Sequence, residues 1–308
     1  MMVQVAPACH SHGTNSVDLV LLALIRTLRP KQWVKNLFVA APLFFALRLS
    51  DAESVMRTAA AVALFSLISG CVYVLNDLVD VEADRVHPTK RLRPIPSGQL
   101  PVPAAKRFLM GAVPTCVGLA LWLDWGYAAV LSSYFVLNVA YSLRLKKIGY
   151  VDVLSIATMF ILRVTAGSVV LGVEPSPWLL SCTFLLALFL GFGKRAHELS
   201  VAEDAAAQRE ALEHYNLASL RWIMHGLAVV VMIVYVLYTR SPQTVAMFHT
   251  DALVYTVPFP VVGILRFNWL ATSHDEAESP TDAMLKDVLF MANLLAYVVA
   301  TGAVLYAL

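Results

Sequence analysis

Charge is scarce in this chain. Only 14% of its 308 residues are Asp, Glu, Lys or Arg while 59% are hydrophobic, against roughly 25% charged residues in an ordinary soluble domain. With a mean hydropathy of +0.69, the deficit excludes a soluble globule and points to a polytopic membrane protein. Cysteine is also sparse. Cys9, Cys71, Cys116 and Cys182 are scattered, the last three inside apolar segments, with no CxxC or Cys/His spacing, so neither disulfide nor zinc is expected. The 8 histidines lack HExxH-type spacing and are assigned no metal. The opening MMVQVAPACHSHGTNS lacks the basic start, apolar run and small-residue cleavage site of a signal peptide. Residues 1–16 are therefore expected to be a disordered tail, followed by one transmembrane domain over 17–308. The net charge of +2 says little by itself, because in a membrane protein what matters is which loops carry the charge; no nucleic-acid partner is expected.

What is present is a series of apolar stretches near the ~20-residue length that spans a bilayer, at 33–49, 56–78, 107–123, 126–143, 151–172, 176–193, 219–239, 251–270 and 287–307. The fold class expected is all-α integral membrane, with nine transmembrane helices by this division. DLVLLALIRTL either continues the first helix or lies at the interface. Lys and Arg crowd alternate connections: Arg85 to Arg107, Arg144 to Lys147, Lys194 to Arg221, then Arg266 and Lys286. By the positive-inside rule that face is cytoplasmic, placing the N-terminus inside and the C-terminus outside a cell membrane.

On that face, NDLVDVEADRVHPTKRLRP follows directly on AAAVALFSLISGCVYVL. If the second span continues past Leu75, Asp77, Asp80 and Asp84 fall at i, i+3 and i+7 on one stripe, with Asn76 a turn before Asp80. Three carboxylates on one stripe repel unless a cation sits among them. A hard divalent ion with oxygen ligands, typically Mg²⁺ bridging substrate phosphates, suits that pattern. Glu82 points elsewhere and reads as solvated. His87, Lys90, Arg91 and Arg93, on a Pro-punctuated loop, can fold back over a phosphate held there.

NDLVDVEAD and the following RPIPSG resemble the NDxxDxxxD and RPxxxG motifs of the UbiA superfamily of intramembrane prenyltransferases. The resemblance implies nine transmembrane helices around a central cavity, with the active site at the cytoplasmic side. LRPKQWVKN, HPTKRLRPI, ILRVTAGSV, GKRAHEL and ESPTDAMLKD resemble its decaprenyl-phosphate phosphoribosyltransferase branch. That likeness implies transfer from phosphoribosyl pyrophosphate (PRPP) to a polyprenyl phosphate, with inversion at C1. Where aromatic prenyltransferases of the superfamily carry a second acidic motif, DxxxD, this chain reads Gly193-Lys194-Arg195-Ala196-His197-Glu198. Lys194 and Arg195 are expected to offer fixed positive charge to a phosphate arriving without its own metal, with Glu198 near. The alternative keeps the fold and moves a prenyl group from a prenyl diphosphate to an aromatic or lipid acceptor.

Arg163 lies a dozen residues into the fifth span. An intramembrane Arg costs at least about 2.5 kcal/mol, so it should face a wet cavity or a partner, and a phosphate role is expected. Asp152, eleven positions away at about 1.5 Å per residue, is too distant on the same helix to pair with it. Lys31 and Lys35, with Asn36 beside them, suit the mouth of a cavity. Tyr141 and Lys146 close the fourth span and are candidate phosphate or ribose contacts. The expected partners are PRPP, the lipid phosphate and membrane lipids; a homo-oligomer is left open.

Overall fold

The computed structural model describes residues 16–201, 210–272 and 280–306. The tail at 1–15 and parts of the two long loops, 202–209 and 273–279, lie outside the described residues. The described chain is all-helical: α1 (Ser16–Thr27), α2 (Ala41–Phe45), α3 (Ala52–Val79), α4 (Val81–Val86), α5 (Val102–Leu123), α6 (Trp125–Leu143), α7 (Val151–Val170) and α8 (Pro177–Val201), followed by α9 (Leu217–Arg240), α10 (Pro242–Phe248), α11 (Pro258–Thr272), α12 (Pro280–Lys286) and α13 (Val288–Tyr306). Ser16, the end of the expected tail, already begins α1.

Helix starts follow from local chemistry. Asp51 caps α3 by accepting the Glu53 N–H at 3.2 Å, Asp124 caps α6 through the Tyr127 N–H at 2.8 Å, and Asn216 caps α9 through Ala218 at 2.9 Å. Each side-chain oxygen satisfies an amide that the helix itself leaves unpaired.

Among the described residues, 8 helices are long and apolar enough to cross a membrane, and the protein is a multi-pass membrane protein. The span expected at 33–49 takes another form: a 3-10 helix over Pro30–Ala40, then the short α2. Pro42 has no N–H for an α-helical bond back to Phe38 and its ring crowds that carbonyl. Side-chain bonds hold the segment instead. The Asn36 amide donates to Ser66 at 3.1 Å and Ser69 at 3.0 Å on α3. The Val39 carbonyl lies so close to α7 that a Cβ at Gly167 would sit 1.9 Å from its oxygen, so only glycine fits there. The span expected at 251–270 is likewise divided, into a 3-10 turn at Ala252–Thr256 and α11.

Two apolar cores share α7. Phe65, Leu131, Tyr134 and Met159 join α3, α6 and α7; Val153, Phe189, Leu220 and Phe267 join α7, α8, α9 and α11. Large side chains such as Leu265, Leu295 and Val299 face outward, as surrounding hydrocarbon permits. The ends of α3 and α6 and the starts of α4 and α7 meet on one face, where the acidic stretch lies.

Candidate active site

Asp77 occupies the last turn of α3 and Asp84 lies on α4, their carboxylates only 2% and 5% exposed. The helical backbone is interrupted for one residue at Asp80, with φ −94° and ψ 7°. The i→i−4 bonds nevertheless run through the break, from the Asp80 N–H to Asn76 at 3.0 Å and from the Asp84 N–H to Asp80 at 2.8 Å. The three aspartates therefore stay near one stripe, as their spacing implied.

Each of them meets a cation. Arg93 Nη1 lies between two carboxylates, 2.7 Å from Asp84 Oδ2 and 3.2 Å from Asp77 Oδ1. Arg29 Nη2 reaches the same Asp77 oxygen at 2.7 Å. Lys146 Nζ holds Asp80 through both oxygens, at 2.6 and 2.7 Å. The cations come from three separate parts of the chain. Asn76 accepts a close hydrogen bond from Ser142 on α6, while Glu82 pairs with exposed Arg85 at 2.8 Å.

Grouped carboxylates around a positive charge fit the chemistry of a hard divalent ion. As placed, they turn toward arginine and lysine instead of one another, and no three His, Cys, Asp or Glu among the described residues form a ready-made metal cluster. A metal held by Asp77 and Asp84 would take the position of the Arg93 guanidinium.

Around this cluster the other residues divide. Lys31 and Arg91 are exposed, Lys35 and Lys90 half-buried; Lys90, Arg91 and Lys31 have no ion-pair partner among the described residues. His87 Nδ1 accepts from the Thr89 N–H at 3.3 Å and the Lys90 N–H at 3.4 Å, fastening the loop. Partial burial and the charge of Lys90 push its pKa below the ordinary histidine value, against the pull of Asp84. Tyr141 is half-buried at the end of α6.

Arg195 and Arg163 depart from expectation. Arg195 is 1% exposed. Its Nε lies 2.8 Å from Asp152 Oδ2 and its Nη1 contacts Glu198 closely. Two carboxylates thus neutralise it, and it offers no open charge to a phosphate; Glu198 is committed to the same pair. Lys194, its neighbour, is half-buried. The other Asp152 oxygen accepts the Tyr215 O–H at 2.6 Å, and Tyr215 in turn accepts the Tyr150 N–H at 2.7 Å.

Arg163, 7% exposed, faces partners in the protein. Nε donates to Asn36 at 3.0 Å, Nη1 to the Met159 carbonyl at 3.0 Å and Nη2 to the Tyr134 hydroxyl at 2.9 Å. The rings of Tyr134, Phe160 and Phe65 stand 4.8, 5.0 and 5.6 Å from the guanidinium carbon. Every guanidinium nitrogen is therefore engaged by the framework.

Arg29, Asp152 and Tyr215, like Ser142 and Tyr134, belong to these networks and were absent from the sequence-derived site. Arg29 stands in LRPKQWVKN, beside residues that were chosen, and its left-handed backbone (φ 51°) precedes the turn into the 3-10 segment. It packs over the Tyr73 ring at 4.9 Å. For Asp152 and Tyr215 the sequence carries no signal, since their partners lie 43 and 63 positions away, at Arg195 and Asp152.

Residues 36–294 match the model of the UbiA prenyltransferase family. The chain is 33% identical over 297 residues to the decaprenyl-phosphate phosphoribosyltransferase of Mycolicibacterium smegmatis, covering 92% of each. It is 34% identical over 257 residues to the uncharacterized protein y4nM of Sinorhizobium fredii, covering 81% of this chain but 49%, about half, of that longer relative. Among solved structures, a UbiA homolog from Archaeoglobus fulgidus bound to DMAPP and Mg²⁺ superposes with a TM-score of 0.70 at 16% identity, over 93% of this chain and 100% of that one. Matched over most of its length by the family model and by full-length relatives, the chain belongs to the UbiA prenyltransferase family.

Proposed function

We propose that the protein transfers the 5-phosphoribosyl group of PRPP to a polyprenyl phosphate and releases pyrophosphate, in a Mg²⁺-dependent reaction at the cytoplasmic face of a cell membrane. The observation that carries this reading is the acid–base cluster: three aspartates interleaved with Arg29, Arg93 and Lys146. Beside it, Lys90 and Arg91 lack ion-pair partners among the described residues. Its identity to the M. smegmatis relative over most of both chains supports the choice of substrates.

Asp77, Asp80 and Asp84 would hold Mg²⁺, which when bound neutralises diphosphate charge and favours its departure. Arg93 and Arg29, relieved of their carboxylates, lie within reach of the same phosphates; guanidinium groups pair bidentately with phosphate oxygens. Lys90 and Arg91 extend the positive field over the diphosphate, and Lys31 and Lys35 extend it toward the lipid phosphate. The C1–O bond to diphosphate breaks as the C1–O bond to the polyprenyl phosphate forms on the opposite face, inverting C1. The nucleophile is already an anion, so no side chain must remove a proton. These residues act by positioning and by stabilising developing negative charge.

The family also supports a second reading, transfer of a prenyl group from a prenyl diphosphate. One assay separates the two. Purified protein with Mg²⁺, radiolabelled PRPP and a long polyprenyl phosphate is expected to yield labelled, organic-extractable lipid and pyrophosphate. Transfer of nothing from PRPP, with prenylation of 4-hydroxybenzoate from a prenyl diphosphate, would establish the second reading instead.

A further inference from the structure

On the same face as the acid cluster, but between the ends of α8, α9 and α11, lies a cavity of about 60 Å³. Its polar lining is Ser200, Arg221, His225, Asn268 and Thr272, and no carboxylate is among the described residues that line it. Ser200 donates its proton to the His197 carbonyl at 2.9 Å, and Thr272 donates to the Asn268 carbonyl at 2.9 Å. That leaves Arg221, His225 and Asn268 as the side chains of the polar lining with donors not spent on these helix carbonyls. Arg221 and Asn268 have no side-chain hydrogen bond or ion pair among the described residues. Arg221 and His225 stand one turn apart on α9 and so share a face.

The depth of the cavity is marked by tryptophan. Trp222 on α9 is 78% exposed and Trp269 on α11 is 54% exposed, and outward-facing Trp near the ends of spans belongs at headgroup level. Further along the same helices Val229 and Leu265 face outward, where acyl chains would lie.

We propose that this cavity is a binding site for a phosphate group, taken from the headgroup of an anionic membrane lipid. A guanidinium, an imidazole and an amide lining one cavity, with no carboxylate among its described lining residues, complement a phosphate oxyanion. The site shares no residue with the acid cluster and does not depend on which substrates that cluster takes. Ala196 and Ser200 line it from α8, the helix that Arg195 ties to α7. An occupant would bind α9 and α11 to that same end of α8, and so raise the stability of the whole bundle.

The test is thermal unfolding of the purified full chain in an uncharged detergent, titrated separately with short-chain phosphatidylglycerol, phosphatidylcholine of the same chains, and inorganic phosphate. Phosphatidylglycerol is expected to raise the midpoint saturably and phosphatidylcholine to leave it unchanged. Arg221→Gln should shift half-saturation upward about tenfold, the equivalent of one charged contact, without changing the midpoint in the absence of lipid. His225→Gln, at an exposed position, gives the same reading should Arg221→Gln alter folding. An equal saturable response to inorganic phosphate upholds the phosphate site and names free phosphate as its source. Equal stabilisation by both lipids, or an unchanged phosphatidylglycerol response in both variants, overturns the proposal.

Discussion

Arg195 and Asp152 form an ion pair shut away from solvent, 2.8 Å between Nε and Oδ2, with side chains 2% and 0% exposed. It joins the end of α8 to the first turn of α7, the helix both apolar cores share. Removing Arg195 leaves Asp152 buried without a cation, at a cost of about 3–5 kcal/mol, and removing Asp152 leaves the buried Arg195 with Glu198 alone. Asp152→Asn or Arg195→Met should therefore lower the unfolding midpoint sharply, and the double replacement should recover much of the loss. A midpoint unchanged in Arg195→Met, with turnover abolished, would return Arg195 to the role of an open phosphate cation.

Arg163→Met should act first on stability. It strips donors from Asn36 and Tyr134, each a buried acceptor whose loss of a partner costs about 1–3 kcal/mol. The saving from deleting an intramembrane charge does not offset this, because the charge is already solvated by hydrogen bonds and ring faces. Unfolding midpoints of Arg163→Met and Arg163→Lys decide the matter. An unperturbed midpoint with a large kinetic defect would show that the guanidinium serves a substrate.

Asp77→Asn, Asp80→Asn and Asp84→Asn should each reduce turnover by at least about 10²-fold, the scale of a lost electrostatic stabiliser, while the fold persists. Excess chelator should abolish activity. Binding of Mn²⁺, followed by electron paramagnetic resonance, should weaken in the same variants. Wild-type Mn²⁺ binding in all three would remove these aspartates from the metal site.

Lys90→Gln and Arg91→Gln should each raise KM for PRPP about tenfold, the loss of one charged hydrogen bond, with little change in the unfolding midpoint. Neither side chain has an ion-pair partner to forfeit among the described residues. A fall in stability without a change in KM would mark them as framework residues.

The hydropathy of this chain determines that it is a helical membrane protein, because a span of apolar residues has no alternative to helix in a medium that leaves backbone groups unpaired. Local spacing also determines the aspartate stripe, since i, i+3 and i+7 share a face wherever i→i−4 bonding continues, and through Asp80 it does. Neither property needs knowledge of distant partners. Tertiary structure decides what each charge is for. Arg195 and Arg163 read alike in sequence as cations awaiting a phosphate, yet Arg195 is neutralised from α7 and Arg163 is bonded from the 3-10 segment and α6. Arg93 reads as a loop cation and becomes the bridge between Asp77 and Asp84. The 3-10 segment that replaces the first span is held in place where Asn36 meets Ser66 and Ser69, some 30 positions on. Each outcome depends on a partner brought near by helix packing. In a low-dielectric interior the nearest opposite charge or free acceptor claims a cation, and chain spacing says nothing about which that will be.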